Sequence, residues 1–124
     1  VVDLTARLSD LLLRIHVLRP QAVIVVATAV PIDTARYAET VADYAASVRV
    51  LVDRLRAHRL PVVLADAYSA FVAGAPPGGH VAPGLLSNDG VHPTPAGYAV
   101  LARTFAAVLE GRTLPVPASA GERP

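Results

Sequence analysis

The chain contains no cysteine, methionine or tryptophan, and its only aromatic residues are four Tyr and two Phe. Without cysteine there is no disulfide framework, no thiol nucleophile and no cysteine-ligated metal, and the redox compartment stays open. Lysine is missing as well: all eleven basic residues are arginine, set against ten acidic ones for a net charge of +1. We read the arginine bias as codon usage, because a charge so close to zero gives no electrostatic case for nucleic acid or an anionic membrane. No apolar run approaches the ~18 residues that span a bilayer. The longest, around Ala22 to Val30, has the length of a buried strand. The missing methionine carries a different message. A translated protein starts with Met, yet this chain begins Val1-Val2-Asp3, without the small-residue junction that a cleaved signal peptide leaves. The expectation is a C-terminal piece of something longer; an expression product lacking its first residues is the plainer alternative. Any signal peptide would lie on the missing portion, so localisation, secreted or cytoplasmic, is unreadable.

What is present suits one domain. The 124 residues are 53% apolar with a mean hydropathy of +0.47, too short for two domains and rich enough for a core. Leu4, Leu8, Leu11, Leu12, Ile15 and Leu18 recur at helical spacing, predicting a helix over 3–18 that Pro20 ends. Residues 22–30 are β-branched and apolar on both faces, as in a parallel strand covered by helices on each side. A second helix carries Val41, Tyr44, Ala45, Val48, Leu51, Val52 and Leu55 on one stripe, with Arg49, Asp53, Arg54 and Arg56 opposite. Leu60-Pro61 breaks it, and residues 62–66 read as a second strand. A surface loop with four Gly and three Pro fills 74–84. The last helix starts near Thr94 as N-cap with Pro95 in first position, is expected to bury Tyr98, Leu101, Ala102, Phe105, Val108 and Leu109, and stops before Gly111. One domain thus occupies 1–111, and 112–124 read as a flexible tail.

Alternating helices and strands make the fold class α/β, a parallel sheet with helices on both faces. Two strands cannot bury both faces of such an apolar run, and their open edge is an aggregation hazard. The sheet therefore needs strands that these residues do not supply, and the expectation is that N-terminal strands are missing.

The chemistry concentrates in Asp89-Gly90-Val91-His92-Pro93-Thr94, followed by Pro95-Ala96-Gly97-Tyr98. A carboxylate three residues before an imidazole can accept a hydrogen bond from one ring nitrogen and leave the other as a base. Ligands of open parallel sheets sit beyond the carboxyl ends of the strands, which puts Asp89 and His92 at the same rim as Pro31-Ile32-Asp33. A bare Asp-x-x-His is more often a turn cap beside a helix start, and the surrounding residues change that balance.

The stretch Asn88 to Tyr98 closely resembles the C-terminal block of the SGNH (GDSL-type) hydrolases, a superfamily of esterases and lipases. More loosely, residues 18–31 look like that family's fourth strand with its terminal Pro, and residues 60–67 like its fifth; the weak similarity spans about 3–110. The resemblance implies a three-layer α/β/α flavodoxin-like sheet, with Asp89 as orienting acid and His92 as general base and acid toward a serine near the N-terminus. It also implies ester hydrolysis without a cofactor, on a small-molecule ester that could be a short-chain ester, an acetylated sugar or a lysolipid. No Gly-Asp-Ser block, no Gly-x-Asn-Asp block and no Gly-x-Ser-x-Gly elbow occurs in the chain. By the family's order, the serine and the oxyanion donors would lie on a missing N-terminal portion of the same protein, or on a second chain completing the sheet. This chain alone is then expected to be inactive.

Local substitutes fare poorly. Ser9 and Ser47 fall on helices, Ser119 in the tail, and Ser87 shares a loop with His92 but has no oxyanion donors beside it. Ser69 follows the second strand and is the least unsuitable, though Tyr68 and Ser69 read more simply as loop residues shaping a pocket wall. His80 with Asp89 and His92 matches no metal-binding spacing, and His16 and His58 read as surface or packing residues. Ala70, Phe71, Val72, Ala73 and Ala75 hint at an acyl-side wall; no substrate-binding residue is identified. The rival from another class is a catalytically inactive SGNH-derived binding or assembly module, in which Asp89 to His92 only connects loop to helix.

Overall fold

The computed structural model describes residues 2–111. The chain runs α1 (Val2–Leu18), β1 (Ile24–Ala27), α2 (Ala38–Ala57), β2 (Val62–Ala65), α3 (Ala67–Val72) and α4 (Pro95–Leu109). β1 and β2 pair in parallel, with Ile24 opposite Val62 and Ala27 opposite Ala65. The residues expected to form a tail, 112–124, lie outside the described part.

Side chains alternate across the strands, and the two faces of the sheet have separate cores. Val26 and Val62 pack with Leu12 of α1 and with Val48, Leu51, Val52 and Leu55 of α2. Val63 and Ala65 face the other way, against Val108 of α4. Helices therefore cover both faces, as the α/β reading requires. The apolar stripe of α2 is the one its spacing predicts, since Ala45, Val48, Leu51, Val52 and Leu55 are all buried.

Four expectations need correction. The strand predicted over 22–30 shortens to Ile24–Ala27. Among the described residues β1 has a neighbour on one side only, so Val23 and Ala27 stay exposed instead of being covered on both faces. Tyr68 and Ser69, expected to be loop residues, lie in α3, because Asp66 caps that helix by accepting from the Ser69 amide. Phe71, read as a wall for an acyl chain, is fully buried inside the fold. In α4 the buried face holds Gly97 and Val108, while Tyr98 is 56% exposed, Leu109 73% exposed, and Phe105 and Ala102 also reach solvent. The cause is Gly97: a Cβ there would run into the Leu85 carbonyl, so the backbone approach is possible only for glycine and fixes which way α4 faces.

No helix among the described residues is long and apolar enough to cross a membrane.

Candidate active site

The loop between α3 and α4 is held by a short antiparallel clasp. Leu86 bridges Pro93, the Ser87 amide donates to the His92 carbonyl at 2.8 Å, and the Thr94 amide donates to the Leu85 carbonyl at 3.0 Å. The segment from Ser87 to His92 is thereby closed on itself. Thr94 caps α4 as expected, accepting from the Gly97 amide at 3.1 Å while its hydroxyl donates to the Gly84 carbonyl at 2.6 Å. The start of the helix and the end of the loop are one rigid corner.

Within that loop, Asp89 Oδ1 accepts from the amides of Val91 at 2.9 Å and His92 at 3.0 Å. These are the bonds of an Asx turn, which aspartate forms with the backbone just ahead of it. They bring the His92 ring round to the other carboxyl oxygen, and Nδ1 stands 2.6 Å from Asp89 Oδ2. Amide donation from His92 and Val91, with the ring's own bond, holds the Asp89 carboxyl well below the usual carboxylate range. An ionised Asp89 can only accept, so Nδ1 donates in this bond, and the tautomer that fits it has its lone pair at Nε2. The His92 side chain is 72% exposed. No hydrogen bond occupies Nε2 among the described residues.

Two contacts seat this loop on the rim of the sheet. The Asp33 amide, in the connection after β1, donates to the Gly90 carbonyl at 2.7 Å. Gly90 has φ +69°, and a Cβ built on it would lie 2.5 Å from the Asp33 carbonyl oxygen. The loops at 31–33 and 89–92 therefore do meet at the carboxyl end of β1. Gly78 gives an internal control, since it has φ +75° but open space around it. Gly78→Ala should cost about 1–2 kcal/mol for the left-handed backbone alone, and Gly90→Ala about 1–3 kcal/mol more for the collision. Urea unfolding of both variants checks the difference; equal losses would mean that the Asp33 contact is not a constraint.

A second polar cluster lies at the same strand ends, and sequence reasoning missed it. Arg49 of α2, assigned to the solvent face, reaches Asp66 with Nε at 2.8 Å from Oδ2 and Nη2 at 3.1 Å from Oδ1. Asp66 also accepts from Thr28 Oγ1 at 3.0 Å and Ser69 Oγ at 2.7 Å, and Arg49 lies 5.6 Å from the centre of the Tyr68 ring. The Thr28 hydroxyl in turn accepts from the Tyr68 amide at 2.8 Å, so the cluster ties β1, β2, α2 and α3 together. Burial alone would raise the Asp66 pKa, but the bonds from Arg49, Ser69 and Thr28 outweigh it and lower it to about 2. Because that value lies below the unfolded one, the stabilisation is complete above the usual 3.8 and drains away as pH falls toward about 2. In thermal melts across that window the wild type should lose stability steeply, and Asp66→Asn, less stable at neutral pH, should lose less. Parallel slopes would contradict the assignment.

Ser69, the least unsuitable local nucleophile, is thus committed elsewhere: its hydroxyl donates to Asp66 and accepts from Arg49. Ser47 donates to the Asp43 carbonyl, Ser9 lies on α1, and Ser119 is outside the described residues. No serine among the described residues is hydrogen-bonded to the His92 ring. His80 is exposed in the loop before Asp89, and no group of three His, Cys, Asp or Glu among the described residues could hold a metal ion.

A model of the GDSL-like Lipase/Acylhydrolase family matches residues 1–105, and the chain belongs to that family. No curated protein and no solved structure matches it.

Proposed function

We propose that this member of the GDSL-like acylhydrolases serves as the base-bearing part of a serine ester hydrolase. The carrying observation is the 2.6 Å pairing of His92 Nδ1 with the Asp89 carboxylate, with the rest of the ring open to solvent. In the complete site, His92 Nε2 takes the proton of a serine hydroxyl as the oxygen attacks the acyl carbonyl. The imidazolium that forms is stabilised by Asp89 across Nδ1. His92 then gives the proton to the departing alcohol, and activates a water that releases the acyl group from the serine.

The serine and the oxyanion donors come, on this reading, from a segment that completes the sheet. Three observations support it. One edge of β1 has no partner among the described residues. The exposed Leu4, Leu11 and Leu18 on α1, and Tyr98, Phe105 and Leu109 on α4, are apolar surfaces that a wider sheet and its helices would cover. The third is handedness. The connection from β1 through α2 to β2 puts α2 on one face, and α1 packs on that same face through Leu12. Crossovers between parallel strands share one hand, so a helix entering β1 from that face is the crossover from a strand on the bare side of β1.

The alternative is a module that keeps the family's loop but performs no chemistry. Ester turnover after a serine-bearing segment is supplied separates the two. The isolated chain should hydrolyse p-nitrophenyl acetate no faster than free imidazole, which itself attacks that ester, so the comparison is with imidazole at the same concentration. A rate well above that baseline in the isolated chain would overturn the division of the site.

A further inference from the structure

We propose that Ser87 is a positioning residue for the Asp89–His92 pair, its hydroxyl bracing one oxygen of Asp89 and the backbone of His92 so that the other oxygen stays on the ring. The inference rests on the reading of His92 as the base. Ser87 Oγ lies 2.6 Å from the His92 carbonyl and 3.1 Å from Asp89 Oδ1. A hydroxyl has one proton to donate, so these two acceptors share it, with the shorter leg on the carbonyl. The Ser87 amide donates to the same carbonyl, and the Gly90 amide donates to the Ser87 carbonyl at 2.9 Å, closing the turn that carries Asp89. Oδ1 then has three donors around it: the hydroxyl and the amides of Val91 and His92. A carboxylate so held cannot rotate about its Cβ–Cγ bond without breaking several bonds at once, and Oδ2 is left for Nδ1 alone. The same arrangement explains why Ser87, although it shares a loop with His92, is not the nucleophile. Its proton is directed at a carbonyl and a carboxylate, and no bond joins it to the ring.

The test is nitrogen-15 NMR of the labelled 124-residue chain at neutral pH. Long-range correlations within the imidazole report which nitrogen of His92 is protonated, and the Nδ1 proton reports its exchange with water. In the wild type the tautomer with the proton on Nδ1 should dominate, and Asp89→Asn should abolish that bias. Ser87→Ala should speed exchange of the Nδ1 proton about fivefold, the factor expected for one net hydrogen bond, and should mix the tautomers. Ser87→Thr, which keeps the hydroxyl, should restore both. A purely structural role would lower stability without moving the tautomer ratio. Should Ser87→Ala not fold, Ser87→Cys, a much weaker donor, supports the same comparison with Ser87→Thr. The proposal is overturned when Ala or Cys matches the wild type while Asp89→Asn does not, or when Thr behaves as Ala does. Failure of the hydrolase reading would look different: the tautomer signatures would stand as described, with His92 dispensable for ester turnover.

Discussion

Once a nucleophile-bearing segment completes the site, His92→Ala should cut ester turnover on the order of 10³-fold or more, with little change in apparent substrate affinity. The size follows from the role of base proposed for the ring. Without it nothing near the serine accepts a proton at neutral pH, and the alkoxide must form unaided. Asp89→Asn should come close to the same loss for a different reason. An amide in place of the carboxylate turns a donor or a neutral acceptor toward Nδ1, the ring loses its preferred tautomer, and the imidazolium of the transition state loses its counter-charge. Neither substitution should disturb folding much, because both side chains are substantially exposed. Turnover of a simple alkyl ester, followed by release of acid, measures the effect free of the direct reaction between imidazole and activated esters. A reduction of only a fewfold in either variant would leave the pair as a turn motif.

Phe71→Ala should unfold the chain before it changes any substrate preference. Phe71 is fully buried and is the largest such side chain. Truncating a buried phenylalanine costs about 3–5 kcal/mol through lost transfer energy and the cavity left behind. Whole domains are stable by only about 5–15 kcal/mol, and the sheet of this one has two strands, each unpaired on its outer edge among the described residues. The loss should therefore consume most of the available stability. It should appear in circular dichroism as a melting transition lowered by tens of degrees or absent at room temperature. Phe71→Leu, which keeps most of the volume, should recover much of the loss. A Phe71→Ala protein that melts where the wild type does would contradict the packing role of that side chain.

The contrast between Phe71 and His92 shows which parts of the molecule are legible from residues alone. The Asp89–His92 contact is local: three residues and an Asx turn suffice, so the spacing carries the geometry. The same holds for Thr94 as the cap of α4 and for the stripe of α2, whose period needs no knowledge of the neighbours. Arg49 is different. Its partner Asp66 stands 17 residues away across a helix–strand boundary, and the helical pattern alone places it on the polar side. α3 is six residues long, too short for a periodic signal, and its one local clue, an Asp that can cap the amide three residues on, directly follows the last residue of β2.

α4 fails for the opposite reason, an excess of signal. Its sequence is apolar nearly all round, so periodicity offers more than one buried face. The choice was made by the contact of Gly97 with Leu85, a tertiary event that no window of the helix contains. β1 is shorter than its apolar run because a strand extends only as far as its partner, and β2 supplies four paired residues. Val23, Leu4, Leu11, Tyr98 and Phe105 are exposed apolar surface, which the proposed completing segment would cover.

The most direct test joins the Gly-Asp-Ser-bearing N-terminal half of a family hydrolase to residues 2–111 and compares its ester turnover with that of the same chimaera carrying His92→Ala. The parent chimaera should turn over ester, and the variant should do so on the order of 10³-fold or more slowly. Turnover that survives the loss of His92 unchanged would contradict the role of base proposed for that ring.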